Sequence, residues 1–181
     1  MLPITLPEPL PLLQSASMDS VMVALASLPA ELRDQPKRHI VLLRGRRRVL
    51  LLDNGNLRRS FPVAVGMPGW ETPTGSFKVL EKINKPIWVH PVTGERVEEQ
   101  GPDNPLGSHW IAFHRDCLGR DAHDGDQWIT INGCTTTGFH GTPHRWTVGR
   151  AVSHGCVRLY NENIRSLYRD VGLGTQVTVL P

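Results

Sequence analysis

No apolar stretch of the sequence approaches the roughly 20 residues that a helix needs to cross a lipid bilayer. The N-terminus also lacks the basic residues with which a secretory signal peptide begins, and four prolines interrupt its apolar residues. We therefore expect an extended N-terminal segment, no stable insertion into a membrane, and no export signal visible within the chain.

Motifs that read nucleic acid are missing as well, although the chain is basic, with a formal net charge of +3 and an isoelectric point of about 9.0. The densest positive group is Arg44 with residues 46–48 around Gly45, which the turn of a β-hairpin explains equally well. No groove-reading motif and no basic strand with interleaved aromatic residues accompanies these arginines, so we expect no nucleic-acid partner.

Cysteine is scarce: the chain has three, an odd number that leaves at least one thiol without a partner inside the chain. Cys156 lies in the stretch AVSHGCVRLYNEN (151–163), two residues after His154. Three interpretations are open for its thiol: a nucleophile, a metal ligand, or a buried side chain of the core.

The nucleophile interpretation requires neighbours that lower the thiol pKa from its reference value of about 8.5, because the thiolate is the reactive form. His140, His144 and His154 all precede Cys156 within sixteen residues. Gly155 permits a close backbone approach, so the amides of Gly155 and Cys156 can point at a developing oxyanion. Base, nucleophile and oxyanion hole would then come from one segment.

The other two interpretations have support of their own. A zinc ligand set would begin with the H-x3-H spacing of His140 and His144, but His154 and Cys156 do not form a second block of that kind. Free cysteine is among the most buried residue types, so this stretch, taken alone, favours a core thiol.

Short runs of β-branched and apolar residues predict a mainly β domain. Asn54 and Gly55 separate two of these runs, and Asn-Gly favours the type I′ turn of a β-hairpin. The predicted strands are 39–44, 48–53, 57–66, 75–83, 109–114, 128–132 and 176–180.

A few short helices accompany the predicted strands. Asp19 is expected to cap one that ends near Pro29. Asn161 is expected to cap a later helix whose C′ position falls on Gly172. The apolar positions at helical spacing are Val21, Met22, Leu25 and Leu28 in the first helix and Ile164, Leu167, Tyr168 and Val171 in the second.

Residues 85–108 form a long predicted loop with four prolines and three glycines, a length that idle loops rarely reach. We interpret this segment as a lid or a wall of a substrate site. The chain then divides into an N-terminal part, 1–38, with the proline-rich segment and the short helix, and a single domain over 39–181.

Several stretches, in order along the chain, resemble one family. FHGT (139–142) followed by SHGCVRL (153–159) closely resembles the catalytic signature of the L,D-transpeptidase (YkuD-like) family, a histidine followed after a spacer by Ser/Thr-His-Gly-Cys. The resemblance covers about residues 39–180. It also includes FPVAVG and ETPTGSF within 61–77, GPDNPLGSHWIAFH (101–114) and GTQVTVL (174–180).

The resemblance implies a mixed β-sandwich and a cysteine enzyme that remodels peptidoglycan. Cys156 would attack the carbonyl between meso-diaminopimelate and the terminal D-alanine of a tetrapeptide stem, and a thioester would form as D-alanine leaves. A stem amine would then give a 3→3 cross-link, whereas water would give L,D-carboxypeptidase activity. Because a thioester conserves the energy of the bond, neither a cofactor nor a metal is expected. The alternative is a non-catalytic cell-wall binding module with an inert thiol.

By the same resemblance His140 is the general base, oriented by a backbone carbonyl or a hydroxyl. Arg158 is suited to recognise a carboxylate, and Trp110 is expected to contact substrate. The residues assigned to the oxyanion hole and to shaping the site are Gly141, Ser153, His154 and Gly155. The implied partners are peptidoglycan stem peptides, bound by a monomer in the bacterial cell envelope.

Cys117 and Cys134 lie near the ends of a polar segment (115–137) that is longer than the corresponding link of the family. A β-hairpin between the predicted strands 109–114 and 128–132 would allow the roughly 4.4–6.8 Å Cα separation of a disulfide. An oxidising compartment would favour that bridge, but two reduced thiols fit the sequence as well.

Overall fold

The structure, a computed structural model, describes residues 18–33, 37–90, 93–124 and 127–181, which contain fifteen short strands, three α-helices and one 3-10 helix (Arg145–Thr147). The helices are α1 (Met18–Ala26), α2 (Ala30–Arg33) and α3 (Asn161–Asp170). In chain order the strands are β1 (His39–Leu43), β2 (Arg48–Asp53), β3 (Asn56–Pro62), β4 (Val65–Gly66), β5 (Gly75–Lys78), β6 (Glu81–Asn84), β7 (Trp88–Val89), β8 (Arg96–Val97), β9 (His109–Asp116), β10 (Arg120–Asp124), β11 (Gln127–Ile131), β12 (Thr135–His140), β13 (Ala151–Ser153), β14 (Val157–Arg158) and β15 (Gln176–Leu180).

Most strands belong to two mixed sheets. The first has the order β3-β2-β1-β15-β5, with β1 parallel to β15. The second has the order β14-β12-β9-β6, with β12 parallel to β14. The prediction of a mainly β, mixed sandwich with a few short helices is therefore confirmed.

The main hydrophobic core lies between the two sheets. Ile40 and Leu51 from the first sheet share one buried cluster with Phe113 and Phe139 from the second. α3 closes this core with Leu167, which is also fully buried. Since burial of one large apolar side chain contributes about 1.5–3 kcal/mol, this cluster holds the sheets and the helix together.

A second buried cluster covers the other face of the first sheet. Val21 and Ala24 of α1 pack there with Val41 and Leu50. Because β1 and β2 are buried on both faces, their sequences are uninterrupted apolar runs rather than alternating ones. The proline-rich residues 1–17 lie outside the described ranges, and no helix within those ranges is long and apolar enough to span a membrane.

Two predicted strands are each divided in the structure. The run 57–66 becomes β3 and β4, because β3 pairs within the first sheet whereas β4 leaves it to pair with β13. The run 75–83 becomes β5 in the first sheet and β6 in the second. At the first break the chain leaves the first sheet for the β4–β13 pair, and at the second it crosses from the first sheet to the second. The apolar pattern of one segment does not show that its strand changes partners.

The helix ends differ from the sequence expectation. α1 begins at Met18, so Asp19 lies inside the helix instead of capping it. α3 has Tyr160 at its N-cap, and Asn161 Oδ1 accepts a hydrogen bond from the Ser108 amide at 3.0 Å instead. Beyond α3 the chain continues through extended backbone at Val171, so the following glycine is not a left-handed C′ residue. The Asn54-Gly55 turn is confirmed, with φ of 49° and 77°.

Cys117 and Cys134 form a disulfide. β9 and β12 are antiparallel neighbours with Asp116 opposite Thr135, and the two cysteines are the next residues beyond that pair. The predicted hairpin was wrong in its pairing, because β11 pairs with β10 and not with β9. The bridge therefore closes the base of a separate two-stranded β10–β11 hairpin.

The unfolded, unreduced protein should carry one alkylatable thiol, at Cys156, and three after reduction. Closing a loop of this length stabilises a protein by roughly 3 kcal/mol in the chain-entropy model, so reduction should also lower the melting temperature. Intact-protein mass after alkylation counts the thiols. Three alkylated cysteines without a reductant would rule out the bridge.

Candidate active site

Side-chain hydrogen bonds hold the turn between β13 and β14. Ser153 Oγ accepts from the Gly155 amide at 3.1 Å and donates to the Cys156 carbonyl at 2.5 Å. Gly155 has a φ of 115°, in the region that favours glycine. The buried Thr72 hydroxyl donates to the Gly155 carbonyl at 2.8 Å. This hydrogen bond connects the turn, at the residue before Cys156, to the segment that contains Thr72, which is distant in sequence.

The Cys156 thiol is partly exposed and lies against the backbone of β12. Its Sγ is 3.8 Å from the Thr136 carbonyl, and the backbone of Gly138 is also within hydrogen-bonding reach. Gly138 follows a bulge in β12, and a Cβ there would lie 2.6 Å from the Ile111 carbonyl. Gly138 was not among the predicted site residues, although a glycine inside a strand is a signal of close backbone approach.

His140 ends β12 and is 4% exposed. Its Nδ1 is 2.5 Å from the Gly141 carbonyl, so in the neutral ring this nitrogen is the donor and Nε2 is the basic nitrogen. Trp110 is the residue of β9 that lies opposite His140, and its ring stacks on the imidazole at a centroid distance of 5.9 Å. The carbonyl and the indole together fix the orientation of the imidazole.

Gly141 allows three segments to meet beside His140. A Cβ at Gly141 would collide with Asn161 Oδ1 at the start of α3. The same oxygen accepts from Ser108, at the end of the long segment 85–108. That segment contains the β7–β8 pair, and its last residue, Ser108, lies beside Gly141 and Asn161.

The strand register places His140 and Arg158 on one face of the second sheet, and Cys156 directly precedes β14 with its thiol against the backbone of β12. His140 is opposite Arg158 and Phe139 opposite Val157 across β12 and β14. Because side chains alternate along a strand, Phe139 and Val157 enter the core and the polar side chains share the other face. No hydrogen bond among the described residues joins Cys156 Sγ to His140, a contact that often tightens only when substrate binds.

Burial dominates the protonation of both groups. It lowers the pKa of His140 to about 4, and the backbone bond to Gly141 opposes that shift. It raises the pKa of the Cys156 thiol, while the backbone of Gly138 and the charge of Arg158 act in the opposite direction. The expectation of a lowered thiol pKa is therefore not met in the free protein. Both shifts favour the neutral form of each group, a thiol and an unprotonated imidazole, in the free protein.

The expected oxyanion hole is only partly available. The Gly155 amide already donates to Ser153 Oγ, so it is not free for substrate. The Cys156 amide takes part in none of the hydrogen bonds among the described residues. Of the two amides expected from the sequence, the Cys156 amide is thus the candidate donor.

Arg158 and His154 flank Cys156 in different ways. No carboxylate of the described residues pairs with the half-buried Arg158, and burial lowers the pKa of its guanidinium. His154 is exposed, and its ring stacks on Trp70 at 4.4 Å. Within the described ranges no three His, Cys, Asp or Glu side chains are grouped to hold a metal ion.

A family model described as the L,D-transpeptidase catalytic domain (YkuD) matches residues 37–179. The chain belongs to this family.

Individual relatives agree with that membership. The Bacillus subtilis protein YqjB, whose name is that of an L,D-transpeptidase, is 32% identical over 130 residues, which are 72% of this chain and 63% of that protein. L,D-transpeptidase 3 from Mycobacterium tuberculosis, solved with a faropenem-derived adduct, has a TM-score of 0.53 at 21% identity, over 81% of this chain and 61% of that one. An L,D-transpeptidase in complex with imipenem has a TM-score of 0.53 at 20% identity, over 79% of this chain and 58% of that one.

These solved structures have the same fold as this L,D-transpeptidase domain. The chain spans less than two thirds of the length of each of the three relatives.

Proposed function

We propose that this chain is the catalytic part of a peptidoglycan L,D-transpeptidase with Cys156 as its nucleophile. The observation that carries the proposal is that the partly exposed Cys156 thiol lies against the backbone of β12, the strand that ends in the buried His140, next to the guanidinium of Arg158. Membership of the L,D-transpeptidase family supports the reaction class.

In the acylation step, Cys156 Sγ attacks the carbonyl between meso-diaminopimelate and D-alanine of a tetrapeptide stem. His140 Nε2 takes the thiol proton as the S–C bond forms, and it returns that proton to the D-alanine nitrogen as the C–N bond breaks. The products are free D-alanine and a thioester. The pKa shifts of both groups mean that the step starts from an unprotonated imidazole and a protonated thiol.

The acyl acceptor decides the second step. The side-chain amine of another stem would attack the thioester and give a 3→3 cross-link, and water would instead release a tripeptide stem. Both reactions use the same residues, so the geometry of Cys156 and His140 does not distinguish a transpeptidase from an L,D-carboxypeptidase. Transpeptidation is the reaction that the family name describes.

Two negative charges have candidate partners at the site: the oxyanion that develops during attack and a carboxylate that the stem already carries. The Cys156 amide would donate to the tetrahedral oxyanion. Arg158 would bind a carboxylate of the stem, because a half-buried guanidinium that pairs with no described carboxylate has donors to offer. Trp110, packed on His140, would form the adjoining wall.

The location of the substrate sets the compartment. Stem peptides occur in the bacterial cell envelope, and the Cys117–Cys134 disulfide fits an oxidising compartment of that kind. We propose that the domain acts there as a monomer, and the thioester chemistry itself requires no cofactor.

Imipenem should acylate Cys156 and leave a stable adduct. Opening of the β-lactam ring by the thiolate forms the same kind of thioester as the proposed intermediate, and an L,D-transpeptidase of the same fold has been solved with this carbapenem. Intact-protein mass should rise by one imipenem, and peptide mapping should place the adduct on residue 156.

Two variants serve as controls for the adduct. Cys156→Ala should acquire no added mass, whereas the double variant Cys117→Ser/Cys134→Ser should still acquire it. An adduct that persists in Cys156→Ala, or no adduct on the unaltered protein, would contradict the proposed function.

A further inference from the structure

Trp70 touches both the turn that carries Cys156 and the β10–β11 hairpin. It lies in the irregular segment after β4, yet it is only 5% exposed. Its amide donates to the Met67 carbonyl at 2.8 Å, which closes a tight turn. Gly66 is required beside it, because a Cβ at that position would collide with the Trp70 carbonyl. The backbone that carries the indole is therefore fixed by the turn and by its close approach to Gly66.

On the hairpin side, the indole makes two contacts with β10. Its Nε1 donates to the His123 carbonyl at 2.8 Å. The Arg120 guanidinium lies over the ring, 4.6 Å from its centroid. With the Cys117–Cys134 disulfide at its base, the hairpin is secured at two separate points.

On the side of the catalytic turn, Trp70 stacks on His154 with ring centroids 4.4 Å apart and planes inclined by 30°. Two residues further along the chain, Thr72 donates to the Gly155 carbonyl. The segment that contains Trp70 and Thr72 thus contacts the two residues that directly precede Cys156.

We propose that Trp70 is a positioning residue for Cys156, acting through the stack on His154 and anchoring the β10–β11 hairpin beside the catalytic turn. A thiol attacks productively only within a narrow geometry, and misplacement by about 1 Å can cost roughly 100-fold in rate. The effect on turnover rests on the proposed function, but the accessibility of the thiol can be measured without it.

The test compares Trp70→Leu and Trp70→Phe with a matched control, Trp128→Leu. Trp128 lies on the same hairpin but is 77% exposed, and its ring contacts that of His123 edge-on. In the unreduced protein, Cys156 is the free cysteine, so the rate of its reaction with iodoacetamide reports on the access and ionisation of this thiol without requiring turnover. The kcat and KM for release of D-alanine from a tetrapeptide stem report on productive geometry.

Trp70→Leu should lower kcat by roughly 10- to 100-fold and at the same time speed alkylation several-fold, because the turn that carries the thiol is no longer held by the stack on His154. Trp70→Phe keeps a ring for the stack on His154, so kcat should stay near the unaltered value. It loses the Nε1 donor to the His123 carbonyl, so the β10–β11 hairpin is anchored less firmly beside the turn and KM should rise. Trp128→Leu should change neither rate. Melting curves show that each comparison is made on folded protein.

A double-mutant cycle tests the stack itself. If Trp70 acts through His154, the effects of Trp70→Leu and His154→Ala on alkylation should not be additive. Unchanged alkylation and kcat in Trp70→Leu, or equal losses of kcat in the Leu and Phe variants, would overturn the proposal. If the unaltered protein releases no D-alanine while the alkylation rates follow the expected order, the proposed function fails and the positioning role stands.

Discussion

Replacing Cys156 by alanine should abolish release of D-alanine from a purified tetrapeptide stem. The thioester cannot form without the sulfur, so transpeptidation and hydrolysis should be lost together. Removal of a catalytic nucleophile lowers kcat by roughly 10⁶-fold in a well-studied serine enzyme, so activity here should fall below detection. Mass spectrometry of the products with and without an added acceptor stem measures both reactions.

A melting curve shows whether Cys156→Ala is folded, so that lost activity is not mistaken for unfolding. Because the Cys156 side chain is only partly buried, Cys156→Ala should melt near the temperature of the unaltered protein. D-Alanine release that survives in the variant would show that another group is the nucleophile. A non-catalytic wall-binding module would behave differently, with no release from the unaltered protein and wall binding retained in the variant.

Replacing His140 by alanine should reduce kcat/KM by at least roughly 100-fold, as expected for loss of a general base. The unaltered protein should also show an unusual pH profile. Only the unprotonated imidazole can accept the thiol proton, and burial lowers the pKa of His140 from 6.5 to about 4. The competent form therefore persists as the pH falls through 6.5 and is lost near pH 4. The pH dependence of kcat/KM measures this acid limb in the free enzyme.

His144→Ala is the matched control for that experiment. It removes an exposed histidine four residues further along the chain, and it should leave both the rate and the pH profile unchanged. Full activity in His140→Ala, or an acid limb near the ordinary histidine value of about 6.5, would contradict the assignment of His140 as the buried base.

Locally determined features were predictable from the sequence. The Asn54-Gly55 turn follows from the positive φ that both positions require. The apolar spacing that includes Ile164 and Leu167 predicted α3 because one helical face packs on the core. Each of these signals is carried by residues within a few positions of one another.

The caps and strand breaks were not predictable, because distant segments decide them. Asn161 has a good N-cap side chain, but the amide of Ser108, far away in sequence, takes its oxygen instead. The run 75–83 reads as one strand, yet the Leu80 amide donates to the Ala112 carbonyl as the chain moves into the second sheet. Thr72 and Trp70 were missed at the site for the same reason, because their partners, Gly155 and His154, are distant in sequence.

The sequence by itself determined the family and the candidate nucleophile and base, since spacing within one segment carries the Cys156 and His140 motif. Only the tertiary structure decided their electrostatics. Burial against β12 raises the thiol pKa and lowers that of the imidazole, so both shifts favour the neutral form of each group. The turn also commits the Gly155 amide to Ser153, whereas the Cys156 amide takes part in none of the hydrogen bonds among the described residues. Desolvation and hydrogen-bond partners depend on what the whole fold packs around a group, which no short motif records.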